Sequence, residues 1–332
     1  MNIAMKQNRI LWVDTVKAFG MFFIVLGHFF PPYISAWIYT FNVPLFFFMS
    51  GFLAKKEENW KVFWRKNFNG LIVPFLLLST LINIPYIVSN VSDGQRLLSL
   101  LAGLLLGFHS IDGMNGCMNM WFVYCLLFVK ILFQITSKSR CIDGVVMVLC
   151  ILGMILYHYF GCHLKWAVSN VLYAYPYFVL GYWFKVKNVE KIVTKKMHDW
   201  RWNCSVSIAS VATALIASYN GIAYTYEGGV GKSLIIMVLC SLINILAMVR
   251  FSYAFQNFRE QDIRIISKGS ILILAFHLII VYRISRLVEH FLKDYPVIEC
   301  FAFIFFSLGI CVVFIPFIHF VHKHLPILMG KR

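Results

Sequence analysis

Two ionisable side chains interrupt the first long apolar stretch of the chain. They are Lys17 and His28, in the run Trp12-Val-Asp14-Thr-Val-Lys17-Ala-Phe-Gly20-Met-Phe-Phe-Ile24-Val-Leu-Gly27-His28. Eleven helical steps of about 100° return almost to the starting direction, so the two share one face, about 16 Å apart along the axis. Ionisable groups at bilayer depth cost about 3 kcal/mol or more each, and by default they mark a functional face. A neutral imidazole there can take a proton from a hydroxyl and return it, which is general-base chemistry. The alternative is a histidine that only hydrogen-bonds a neighbouring helix. Asp14 stands three residues before Lys17, within pairing reach on a helix surface. Gly20 and Gly27 on the same face permit close helix approach.

Such groups need a membrane bundle to position them, and the composition supplies one. The 332 residues are 60% hydrophobic and only 13% charged, with a mean hydropathy of +0.76. Apolar windows of about 20 residues recur along the chain, the length that crosses a bilayer core. They fall at about 15–34, 36–54, 70–89, 119–137, 143–160, 167–185, 203–220, 230–250, 267–287 and 297–320. The pattern predicts an all-α polytopic bundle of about ten transmembrane helices, one domain over residues 1–332. The apolar piece from Leu97 to Phe108 is too short to cross and reads as interfacial or re-entrant. It belongs to a long connection that also holds the turn Asp112-Gly-Met-Asn-Gly116 and could cover an outward-facing site.

The net charge of +16 invites a nucleic-acid reading, but its distribution opposes one. With the N-terminus inside, 22 of the 30 basic residues fall in the tails and alternate connections on one side, six on the other and two within spans. That is the positive-inside pattern, and it places both termini in the cytoplasm. The basic loops serve topology and attraction to anionic membrane lipids, with a share left for an anionic cofactor. The nine cysteines are isolated and mostly lie within apolar spans. They read as small core residues.

The second span contains Phe41-Asn42-Val-Pro44-Leu-Phe-Phe-Phe-Met-Ser50-Gly51. Pro44 implies a kink. Ser50-Gly51 is either a small polar spot near the basic side or a helix-packing contact.

Taken in order, Asp14-x-x-Lys17-x10-His28, Pro44-Leu-Phe-Phe-Phe-Met-Ser-Gly51, a basic segment into Leu71-Ile-Val-Pro74, and Met120-Trp121-Phe122 resemble the acyltransferase-3 family. Ser267-Lys-Gly-Ser270-Ile-Leu-Ile-Leu-Ala-Phe-His277 is similar to a late-helix pattern of the same family. These are integral-membrane O-acyltransferases that modify bacterial surface and exported glycans. The resemblance is to the short form, without an extracytoplasmic hydrolase-like domain. Where the family has an arginine separated from the histidine by ten residues, this chain has Lys17, which keeps the charge and loses the bidentate fork. Where the family has Arg-x-x-Arg, this chain has Arg65-Lys66-Asn-Phe68, with Phe68 in the second arginine's place.

The resemblance implies acetyl-CoA as donor and a hydroxyl of an envelope glycan or lipid-linked sugar as acceptor. It implies the bacterial inner membrane as location and no metal or nucleic acid. Lys17, Arg65 and Lys66 would hold the donor phosphates. His28 would be the base, with His277 polarising the carbonyl or orienting the acceptor. Asn42 and Trp121 would contact the acceptor, although Trp121 also fits an interfacial belt. Asp14 and Ser50 would support the site.

The main alternative is a transporter or flippase for a lipid-linked sugar or small metabolite. Paired intramembrane carboxylates and matched broken helices, which would favour it, are not seen in the sequence. Gly228-Gly-Val-Gly231-Lys232-Ser233 imitates the tail of a phosphate-binding loop, but Tyr226 stands where its first glycine should be. His319, His322 and His324 read as a basic tail rather than a metal site. Lys130 reads as a snorkelling lysine.

Overall fold

The computed structural model describes residues 10–106, 110–111, 114–115, 117–137, 139–160, 168–196, 199–225 and 229–330. Helix α1 spans Leu11–Gly27. The sequence pattern predicts a span continuing to residue 34, and the structure corrects this. Pro31 and Pro32 lack amide donors and push the residue before them out of helical geometry. The helix therefore stops at Gly27, and His28 caps it, its backbone N–H donating to Ile24 O at 3.2 Å. Phe30 and Tyr33 take left-handed conformations (φ 50° and 68°) in the reversal that follows. Such strain in bulky residues persists only where the surroundings over-determine it. Helix α2 (Ser35–Phe52) then runs back with Pro44 inside it.

The region read as one span at 70–89 is also corrected. It is a broken series: α3 (Trp60–Asn67), a π-helical turn (Phe68–Ile72), α4 (Val73–Ile82) and α5 (Ile84–Ser89). Pro74 and Pro85 sit in the first turns of α4 and α5, where a missing amide costs least. Helix α6 (Gly94–Leu106) is amphipathic, with Leu100 and Leu104 buried and Leu98, Leu101 and Leu105 exposed. Beyond it, Ser110–Ile111 pairs antiparallel with Met114–Asn115. Asp112, Gly113 and Gly116 of the expected turn lie outside the described residues.

The remaining helices are α7 (Trp121–Thr136), α8 (Arg140–Phe160), α9 (Val168–Val186), α10 (Val189–Lys196) and α11 (Trp200–Asn220). They continue with α12 (Leu234–Ala254), α13 (Glu260–Lys268), α14 (Ser270–Leu292) and α15 (Pro296–His324). Of these, α8, α12, α14 and α15 are long and apolar enough to cross a membrane by length and composition. The protein is an all-helical multi-pass membrane bundle.

Helix α1 lies at its centre, against α2, α12, α13, α14 and α15. The tightest crossing joins α2 to α9. A Cβ on Gly51 would collide with the Phe178 carbonyl, and one on Gly181 with that of Phe48. Backbones meet here because neither residue has a side chain. Ser50-Gly51 thus supplies helix packing through its glycine. Buried polar groups fix the register elsewhere. Trp37 Nε1 donates to Asn244 Oδ1 at 3.0 Å, and Thr136 Oγ1 donates to Asp143 Oδ1 at 2.9 Å. Bonds of this kind across helices are worth about 1 kcal/mol each and specify which faces meet.

Candidate active site

The cap of α1 and the second turn of α14 bring the two histidines together. The His28 and His277 ring centroids lie 5.0 Å apart, their planes at 47°. His277 is fully buried and His28 half-buried. The chemistry of His277 follows from its bonds. Its Nδ1 lies 2.8 Å from Ile273 O and 3.1 Å from Leu274 O, and a carbonyl can only accept. Nδ1 therefore carries the proton, and Nε2 has the lone pair. That lone pair accepts from Asn119 Nδ2 at 3.3 Å. The imidazole is neutral and engaged at both nitrogens, an arrangement suited to orienting a neighbour rather than shuttling a proton.

Both rings stand at one end of the bundle, where α1 finishes. His28 lines a cavity of about 640 Å³ there, well inside the range of small-molecule sites. Asn42 and Trp121, the expected acceptor contacts, line the same cavity, both buried. Aromatic rings form part of its wall. Phe30 stacks on Tyr39 at 5.6 Å and 17°, and Tyr39 meets Tyr224 edge-on at 5.9 Å. The strained backbone after His28 thus places an aromatic ring on the cavity wall.

Lys17 lies deeper, toward the end where α1 begins, and lines neither this cavity nor the basic one described next. Its Nζ donates to Ser267 O at 3.0 Å, and the Ser267 hydroxyl donates to Asp14 Oδ1 at 2.6 Å. Asp14 and Ser267 are buried. Asp14 and Lys17 thereby join α1 to the end of α13, directly before the helix that carries His277. Lys17 is half-buried, and a hydrogen-bonded partner is what a charged group at this depth requires.

A second cavity, about 310 Å³, opens at the opposite, basic end. Its polar lining comes from the cations Lys55, Lys66 and Lys130, the carboxylate of Glu57, and Ser50, Asn67 and Gln134. Lys66 pairs with Glu57 at 2.7 Å, and Lys130 Nζ donates to Asn67 Oδ1 at 3.2 Å. Arg65 is exposed on α3 and outside this lining. Lys66 is exposed as well and reaches only the rim of the cavity, while Arg65, about 100° further round the helix, does not line it. The two cavities share no lining residue. Along α2, Phe46 and Phe47 lie between Asn42 and Val43 of the one cavity and Ser50 of the other; Phe122, on the wall of the histidine cavity, packs on them at 6.0 Å and 4.6 Å.

Asn119, Tyr224 and Lys130 were not among the expected site residues. Asn119 precedes the Met120-Trp121 signal by one residue, inside a stretch with no periodicity to flag it. Lys130 was set aside as snorkelling, whereas it points to Asn67 in the basic cavity. The phosphate-loop imitation serves as a turn. Asn220 Nδ2 donates to Val230 O, Ser233 N–H donates to Asn220 Oδ1, and the Lys232 ammonium sits 4.7 Å over the Tyr219 ring. Gly228 of that segment lies outside the described residues. Among the described residues no three His, Cys, Asp or Glu side chains are grouped to hold a metal ion.

A family model described as an acyltransferase domain, the third of the acyltransferase models, matches residues 10–316. No curated protein and no solved structure matches the chain.

Proposed function

The chain belongs to the acyltransferase-3 family, and we propose that it transfers an acetyl group from cytoplasmic acetyl-CoA to a hydroxyl of an envelope polysaccharide or lipid-linked sugar. The supporting observation is the His28–His277 pair, 5.0 Å apart, at a cavity large enough for a sugar unit. In this reading the chain makes ten spans of the bacterial inner membrane with both termini in the cytoplasm, the orientation its charge bias favours. The basic end then faces the cytoplasm, and the histidine cavity opens outward.

Each group has a step. The donor's phosphates lie against Lys66 and Lys130 in the basic cavity, with Arg65 outside as a secondary attraction. Lys17 stands along the path of the acyl arm, held by Ser267 in partnership with Asp14. His28 accepts the proton of the sugar hydroxyl as that oxygen bonds to the thioester carbonyl carbon. The C–S bond then breaks, and the leaving CoA thiolate takes the proton back from His28. His277, neutral and clamped by Asn119, holds the His28 ring in register. Asn42 accepts from the Val43 amide at 2.8 Å through Oδ1, which leaves its NH₂ group for the acceptor. Trp121 contributes an apolar face to the same site. Ser50 lines the donor cavity beside the α2–α9 crossing.

The test is ester-linked acetate on envelope glycans, measured by mass spectrometry and NMR. Cells lacking the gene are compared with cells carrying wild type or His28→Ala at equal expression. Acetate restored by wild type and not by His28→Ala supports the proposal. Equal restoration by both removes His28 from the chemistry, and no change in any strain removes acetyl transfer.

A further inference from the structure

Phe30 stands two residues beyond His28, in a backbone conformation that does not suit it. It precedes Pro31, a position that steers a residue toward extended backbone, yet its φ is 50°. A Cβ is crowded there, and glycine would make the same reversal without the strain. A bulky residue kept in this conformation points to a use for its side chain. The placement of the ring says what that use is. Phe30 is 46% exposed and lines the histidine cavity. Its neighbour Phe29 is buried and stacks on Phe303 of α15, the ring centroids 4.9 Å apart. Tyr33, the other left-handed residue of the reversal, does not line the cavity. The reversal thus buries one ring as an anchor and presents another to the open space.

Two more rings orient Phe30. It stacks on Tyr39 at 5.6 Å, and Tyr224 approaches it at 6.4 Å and 47°. Tyr39 is buried in the second turn of α2 and meets the His28 ring nearly at right angles, 6.5 Å away. The rings come from the reversal, from α2 and from the connection after α11, and all three line the cavity. The Phe30 N–H donates to Gly27 O at 3.0 Å, which ties the ring to the helix end that presents His28. An aromatic face is electron-rich and attracts weakly positive hydrogens. The C–H groups on one face of a pyranose ring match it, and the ring's hydroxyls then point sideways, toward groups such as His28 and Asn42. An acyclic polyol has no such fixed face. We propose that Phe30, backed by Tyr39 and Tyr224, is the platform on which the acceptor's pyranose ring stacks beside His28, and that it selects cyclic sugars over acyclic polyols. The inference rests on the acyl-transfer reading for the chemistry of the acceptor. Its test is a binding measurement, so that either can fail without the other.

The probes are two glycosides, methyl β-D-glucopyranoside and methyl N-acetyl-β-D-glucosaminide, with D-glucitol as the acyclic control. Each is titrated into full-length protein in nanodiscs. Saturation-transfer NMR reads the affinity and the ligand protons that touch the protein. In wild type, saturation should concentrate on the ring C–H protons of at least one glycoside, with glucitol bound at least about fivefold more weakly. In Phe30→Gly the glycoside affinity should fall about tenfold, the scale of a lost aromatic contact. Its Tm should stay at the wild-type value or above, because the left-handed backbone is relieved. Phe30→Tyr keeps the ring and should keep the affinity. Binding of neither glycoside by wild type, equal binding of glucitol, undiminished affinity in Phe30→Gly, or an equal loss in Phe30→Tyr overturns the proposal. Acetyl-CoA turnover by wild type, with and without glycoside, reports on acyl transfer separately: stacking without turnover refutes the transfer reading alone.

Discussion

In the proposed reaction, proton transfer at His28 depends on His277 staying neutral, and this gives a quantitative prediction. Unit charges 5.0 Å apart at an effective dielectric of about 20 repel by about 3 kcal/mol. Two positive charges at this separation are costly, and the transition state, in which His28 becomes cationic, cannot tolerate a second cation. His277→Lys places an ammonium in the second turn of α14 beside the His28 ring, whereas His277→Gln keeps the site neutral and can still accept from Asn119. Three kcal/mol corresponds to about a hundredfold in rate. Acetyl transfer in nanodiscs, measured as initial rates with saturating acetyl-CoA, should therefore fall about a hundredfold further in His277→Lys than in His277→Gln. Monodisperse size-exclusion profiles and unchanged acetyl-CoA affinity certify that both variants fold. Equal rates in the two folded variants would refute the charge argument, and with it the proximity of a developing imidazolium to residue 277.

Further outcomes follow from individual contacts. Asn119→Ala strips the donor from a fully buried imidazole nitrogen, a loss of about 1–3 kcal/mol; the expected readout is a lowered Tm and kcat with the KM for acetyl-CoA unchanged, and an unchanged kcat would sink the positioning role. Lys130→Met should raise the KM for acetyl-CoA severalfold, with the dependence on ionic strength weakened, while glycoside binding stays at the wild-type value; an unaltered KM would move the donor phosphates elsewhere. Phe122→Ala opens the wall between the cavities, so acetyl-CoA hydrolysis without acceptor should rise severalfold, and a wild-type hydrolysis rate would contradict that placement. Gly51→Val drives a side chain into the Phe178 carbonyl, where overpacking costs about 1–3 kcal/mol or more; folded yield by fluorescence-detected size exclusion should collapse, and normal yield would show that α2 and α9 can separate there.

Much of this architecture was legible in the order of residues, for reasons that also explain what was not. His28 and His277 stood out because a titratable group in an apolar run is expensive, and cost is visible without coordinates. Their pairing was not visible, since 249 residues separate them and only packing brings α14 against the end of α1. The early stop of α1 was missed because hydropathy windows average over Pro31-Pro32, whose effect is a lost backbone donor rather than a change in polarity. Arg65 and Lys66 were read together as one basic feature. On a helix they face different directions, and only the packing of α3 against α7 decides that Lys66 meets the cavity. Asn119 carries no periodic signature at all: it is a polar residue in a connection, and only the fold sets it against His277.

The separation of the two cavities bears on why the pair sits where it does. Lys130 and Trp121 mark the two cavities on a single helix, nine residues and so about 14 Å apart along α7. Phe46 and Phe47 of α2 occupy the level between them, and Phe122 at the histidine cavity packs on both. In the proposed transfer, an acyl donor held by its phosphates at the basic end extends its thioester past this aromatic layer to reach His28. The acceptor, entering from the other end, never needs to cross it. A base placed in the middle of α1 would lie behind the aromatic layer and out of the acceptor's reach. Placed on the cap of α1, it is presented at the boundary by a helix end whose backbone is fixed by two prolines and two left-handed residues. The same placement accounts for the clamp on His277. At a boundary where one side is wet, His28 is only half-buried, and a second ring held rigidly by Ile273, Leu274 and Asn119 limits the directions the base can take. In the proposed reaction, aromatic layer, helix cap and clamped imidazole together would let a reactive thioester meet a hydroxyl while bulk water is kept from the path that delivers it.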